Sequence, residues 1–111
     1  MPFQAILTTL VDTHAPVARA AILCDEGGER VAAFAVAGID EIDLDLLGAT
    51  LVPVAARLAE GELVRVLHTD RVVWISRLEG GCSLVVLAEP GRDAAIRFDI
   101  PRAVAAIAAH M

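Results

Sequence analysis

The sequence predicts an α/β fold of the α+β kind, with eight elements in the order α-β-β-α-β-β-β-α, and three observations carry that reading. Apolar residues recur at helical spacing in three separate stretches, short apolar or alternating runs lie between them, and glycine-rich or Asp-Arg turns join neighbouring runs directly. The result is one hairpin and one three-stranded meander, framed by three helices.

The first stretch places Phe3, Ile6, Leu7, Leu10 and Val11 on one helical face, with Gln4, Thr8, Thr9 and Asp12 between them, and predicts a helix over 3–13. Pro16 stops it, because a residue before proline avoids helical geometry. The run VARAAILCD over 17–25 is the first strand. Glu26-Gly27-Gly28 turns the chain, glycine supplying the positive φ of a tight hairpin, and RVAAFAV over 30–36 is the returning strand.

The second helix is the most informative segment. Asp40, Glu41, Asp43 and Asp45 gather where a helix N-terminus favours negative charge. Leu44, Leu47, Leu51, Val54 and Leu58 follow as one stripe, and Gly61 is read as the C-terminal cap. From Leu46 through Ala56 no residue carries a charge, and the face opposite the stripe holds Gly48, Ala49, Thr50, Pro53 and Ala56. A helix apolar all round is buried all round. In so small a chain one face meets the sheet and little protein remains for the other, so a second copy of the chain is the economical cover. Pro53 is expected to kink this helix by removing the bond to the Ala49 carbonyl.

LVRVLHT over 63–69 alternates Leu63, Arg65 and Leu67 against Val64, Val66 and His68. Asp70-Arg71 turns it into VVWISRL over 72–78, and Gly80-Gly81 leads to CSLVVLA over 82–88. Pro90-Gly91 ends the meander. Ile96, Ile100, Val104 and Ile107 then predict a closing helix from about Asp93 to His110, with Arg97 and Arg102 outward. Pro101 stands awkwardly inside it; a start near Asp99 as N-cap is the shorter alternative.

At 111 residues the chain accommodates a single domain, residues 1–111. Its apolar fraction of 57% exceeds the usual share for soluble domains, about 45–50%, which argues against disorder and for more apolar surface than one core requires. No apolar run approaches the roughly 18 residues of a membrane span, and no basic stretch precedes the early apolar residues, so a cytoplasmic location without a signal peptide is expected. The net charge of −6 disfavours nucleic acid and anionic membrane surfaces alike. All nine basic residues are arginine. Lysine is absent, and with it the P-loop and Schiff-base chemistries.

The opening helix FQAILTTLV, the hairpin AAILCDEGGERVAAFA, the acidic-start helix DEIDLDLLGATLVPVAARLAEG and the closing VVWISRLEGGCSLVVLAEPG together resemble the Roadblock/dynein light chain family, over essentially the whole chain. The resemblance implies a five-stranded antiparallel sheet in the order 2-1-5-4-3, sandwiched by helices. It also implies a homodimer in which the second helix and third strand meet their symmetry mates, and a small Ras-like GTPase as partner, as for the polarity proteins of gliding bacteria. Leu46, Ala49, Thr50, Pro53, Ala56, Arg57, Val64, Val66 and His68 are the expected interface. Pro53 departs from the family pattern and bears on how that interface packs.

No catalytic constellation stands out. Ser76, Ser83, Cys24, Cys82, His14, His68 and His110 supply triad chemistry in type only, and the two serines fall inside strands. No CxxC or HxxxH spacing suggests a metal, and no cofactor is expected. Cys24 and Cys82 read as free core cysteines, which approach each other only if the first and fifth strands are neighbours. The acidic cluster reads as a solvated helix start, Trp74 as sheet-face packing and Arg57 as half of a surface ion pair. A non-catalytic homodimeric interaction module acting on a GTPase is therefore the expected function; a passive scaffold subunit and a small-molecule sensor are the alternatives.

Overall fold

A computed structural model describes residues 2–111. The elements are α1 (Pro2–Thr13), β1 (Ala18–Cys24), β2 (Arg30–Ala35), α2 (Glu41–Ala55), β3 (Leu63–Leu67), β4 (Val72–Arg77), β5 (Ser83–Ala88) and α3 (Ile96–Ala108), with a 3-10 turn at Glu79–Gly81 between β4 and β5. This is the element order read from the sequence. The strands form one antiparallel sheet in the order β2-β1-β5-β4-β3, as the resemblance implied.

The sheet carries a core on each face. On one, the α1 residues Leu7, Leu10 and Val11 and the α3 residues Ile96, Ile100 and Ile107 close over Leu23, Trp74, Leu84 and Val86. On the other, α2 lies over Ile22, Val73, Ile75 and Val85. Alternation along the strands divides the two sets, since successive side chains point to opposite faces. A hydrogen bond of 2.6 Å between His14 Nε2 and Asp99 Oδ2 ties the chain after α1 to α3.

Several sequence expectations shift. The buried stripe of α2 is Leu44, Gly48, Leu51 and Ala55, continued by Leu58 beyond the helix. Gly48 therefore faces inward instead of lining the opposite face, while Val54, expected in the stripe, is exposed and Leu47 only half-buried. The helix also ends at Ala55, two residues after Pro53, so the proline marks its last turn. The Arg77 side chain then satisfies the end of the segment, its Nη1 donating at 2.9 Å to the carbonyls of Ala56 and Leu58. Gly61 is not the cap. Its φ of +80° serves the turn into β3, and its N–H donates to the Arg77 carbonyl.

At the other end of the chain, α3 starts at Ile96 and not at Asp93, because Asp93 is turned inward and its carbonyl accepts from the Ile96 N–H ahead of the helix. Asp99 lies within α3, bonded to His14, so it is no N-cap. The helix passes through Pro101. Both Pro101 and Arg97, whose carbonyl loses its partner, are exposed.

Candidate functional site

The sheet order leaves β3 paired on one side only, to β4, in the register Val64↔Ile75, Arg65↔Trp74 and Val66↔Val73. Its other edge presents open backbone donors and acceptors, which proteins normally cover or blunt. Val64 and Val66 point to the α2 side and are only partly buried there, and His68 lies exposed just past the strand.

Beside this edge stands the outward face of α2. Leu46, Ala49, Thr50, Pro53, Ala56 and Arg57 are all exposed, and Leu46 keeps 59% of its surface. The Thr50 hydroxyl donates to the Leu46 carbonyl at 2.7 Å, so its hydrogen-bonding demand is met within the helix. Apart from Arg57 at its end, the surface is thus made of small and apolar groups with almost no unmet polar requirement. Of the nine residues expected at the interface, Leu46, Ala49, Thr50, Pro53, Ala56, Arg57 and His68 are exposed on the single chain, while Val64 and Val66 are partly buried against the core under α2. Arg57 does not form the ion pair expected of it; no carboxylate lies within ion-pair distance among the described residues.

The acidic start of α2 is largely engaged. Arg30 Nε lies 3.3 Å from Asp45 Oδ1 and its Nη1 3.9 Å from Glu41 Oε1, while Asp40 Oδ1 accepts from the Ile42 N–H. These contacts pin α2 to β2. Cys24 and Cys82 do come near, because β1 and β5 are neighbours and Cys24 is opposite Ser83, but both are free thiols. Burial, then the carboxylates of Asp25 and Asp45, pushes the Cys24 thiol up to about 11, and burial also raises that of Cys82. Neither is an activated nucleophile.

One cluster had no signal in the sequence. Asp93, 3% exposed, accepts from Arg65 Nε at 2.7 Å and Nη2 at 2.9 Å and from the Trp74 indole N–H at 3.0 Å. Arg65 also lies over the Trp74 ring, 5.9 Å from its centroid. The Arg65 hydrogen bonds hold the Asp93 carboxyl below the usual carboxylate range, against burial, which pulls the other way. Trp74 is therefore sheet-face packing, as expected, with its polar edge satisfied. Arg65 and Trp74 stand 28 and 19 positions before Asp93, and the spacing marks Asp93 only as the start of the closing helix.

The sequence matches no family model and no curated protein. Solved structures do match. A Roadblock/LC7 domain from Streptomyces avermitilis is similar at a TM-score of 0.80 and 19% identity, over 96% of this chain and 95% of that one. MglC from Myxococcus xanthus gives a TM-score of 0.80 at 18% identity over the whole of both chains. The gliding protein MglB from Thermus thermophilus gives 0.76 at 17%, over 99% of this chain and 90% of that one. The chain has the Roadblock/LC7 fold.

Proposed function

We propose that this chain is a non-catalytic homodimeric interaction module that binds and regulates a small Ras-like GTPase. The observation that carries the reading is the pairing of two unsatisfied features on one side of the molecule. The outward face of α2, from Leu46 to Ala56, is apolar and exposed, and the β3 edge beside it lacks a neighbour. A two-fold copy answers both at once. The strands continue one sheet through the two β3 segments, and the two α2 helices pack through Ala49, Thr50 and Pro53, whose small side chains allow close approach.

The paired α2 helices then form a broad platform with Arg57 at its margins, and this is where a partner protein docks. The likeness in fold to MglB and MglC supports a GTPase as that partner, in agreement with the sequence resemblance. In this reading the dimer acts by favouring one conformation of the GTPase and contributes no chemistry of its own. Co-purification with the small GTPases of its own genome tests the proposal, followed by single-turnover GTP hydrolysis with the dimer in excess. A complex, with a changed nucleotide-exchange or hydrolysis rate, is expected. Absence of binding to every such GTPase, with no change in any rate, overturns it.

A further inference from the structure

The opposite face of the same sheet edge carries a second, independent pair of features. A groove of about 700 Å³ opens there, lined by Leu63 and Arg65 of β3, Trp74 of β4, and Arg97, Phe98 and Pro101 of α3. Phe98 stands at its rim with 76% of its surface exposed, off the inward stripe of α3. Two residues beyond Arg65 on the same strand face is Leu67, 61% exposed. One short edge strand thus borders a groove whose apolar walls are Leu63, Trp74, Phe98 and Pro101, with Arg65 and Arg97 among them, and ends in an unburied leucine.

We propose that Leu67 of each protomer seats in the Phe98 groove of a second copy, so that the dimer is closed on both faces of the sheet. This rests on the homodimer reading above and adds a contact that the α2 face does not supply. Register carries the inference. Successive residues of β3 point to opposite faces, so the two-fold axis of an antiparallel β3–β3 pair passes where one residue faces its own copy. With the axis at Arg65, Leu67 lies opposite the partner's Leu63, on the floor of the groove, and Val64 lies opposite the partner's Val66 beneath the α2 helices. Apolar residues then meet apolar residues on both faces. With the axis one residue on, at Val66, Leu67 meets the partner's Arg65 and Val64 meets the partner's His68, and the matching is lost. The axis at Arg65 sets two guanidinium groups across from each other, an arrangement that destabilises sheets when the charges are free. Here they are not free. Asp93 takes both Nε and Nη2 of Arg65 and draws the guanidinium back over Trp74 of its own protomer. The contact is isologous, so the seat is filled twice.

The test is sedimentation equilibrium on the full chain and on Leu67→Ala, Phe98→Ala and Ala49→Arg, with circular dichroism to show that each folds. It is joined to cross-linking in a Cys82→Ser background. Leu67→Ala should weaken dimerisation about a hundredfold, two leucines being lost per dimer, and Phe98→Ala at least tenfold. An equimolar mixture of Leu63→Cys and Leu67→Cys chains should cross-link through a short bismaleimide, and neither variant alone should do so, since its own cysteines are four strand positions apart, roughly 13 Å. If Leu67→Ala and Phe98→Ala dimerise like the unmodified chain while Ala49→Arg does not, the seat is wrong and the α2 pairing stands. Cross-linking within either cysteine variant alone overturns the register and the seat together. An unmodified chain that stays monomeric at high micromolar concentration removes the dimer reading itself.

Discussion

Gly48 of α2 lies against Cys24 of β1 so closely that a Cβ at position 48 would meet the cysteine Sγ at 3.0 Å, with the Gly28 carbonyl oxygen at 3.2 Å. Among the described residues the one helix on its side of the sheet therefore rests directly on the end of the first hairpin. Gly48→Ala sets a gain in helix propensity of up to about 1 kcal/mol against an overpacking cost of about 1–3 kcal/mol. A net loss of about 1 kcal/mol is expected in urea unfolding. In a Cys24→Ala background, where the sulfur is gone, Gly48→Ala should cost measurably less, and a double-mutant cycle reads the coupling. Equal costs in both backgrounds would show that Cys24 is not what limits the approach.

The Asp93 carboxylate has a depressed pKa in the folded state, held down by Arg65. Its contribution to stability is therefore fully present above the unfolded-state pKa of about 3.9 and is lost as the pH falls through the lower folded value. Asp93→Asn should lower stability at pH 7 by about 2 kcal/mol, the order of a buried hydrogen bond to a charged group. Unfolding curves of the two proteins should converge as the pH falls below about 4. A constant gap between them down to pH 2 would contradict the assignment.

Thiol chemistry offers a third check. Cys24 is buried with its pKa pushed up to about 11, whereas Cys82 is only half-buried. At pH 8 a thiol-specific reagent should modify Cys82 first, leaving Cys24 protected until the protein opens globally. Modification of both at one rate in the folded protein would mean that the α2 contact opens readily.

Ala49→Arg and Thr50→Arg place a charged side chain on the exposed side of α2, where the single chain has ample room. Each should abolish dimers in light scattering while the unfolding free energy of the dissociated chain stays within about 0.5 kcal/mol, as for ordinary surface substitutions. Dimers of undiminished strength would move the interface elsewhere.

The elements themselves were legible because each is locally consistent: Leu7, Leu10 and Val11 repeat at helical spacing, and the turns at Gly28 and at Gly80-Gly81 use glycines with positive φ. Less legible was which side of α2 faces in. Period alone does not distinguish Leu44-Gly48-Leu51-Ala55 from Leu44-Leu47-Leu51-Val54 when both are apolar; the deciding contact is Gly48 on Cys24, formed between residues 24 apart in the chain. The charge-free stretch from Leu46 correctly marked a surface with apolar groups on two sides. Arg65, Trp74 and Asp93 converge only because β3 pairs with β4 while the chain before α3 folds back across them, and no spacing rule announces that. The exposed Phe98 carried no signal for a related reason: it falls off the stripe of Ile96, Ile100, Val104 and Ile107, and only the placement of α3 beside β3 sets it at the rim of a groove.

In the centre of the sheet β1 pairs with β5, joining Leu23 to Leu84 and Ile22 to Val85. These partners lie far apart along the chain, so neither core exists until the last strand has been made. On a ribosome, the first hairpin and α2 must wait, with their apolar faces uncovered, until the last strand has followed. A nascent chain released before Ala88 should be degraded or held by chaperones, and the apolar faces of the first hairpin and α2 must be kept from their neighbours on the same polysome until the fifth strand closes the sheet.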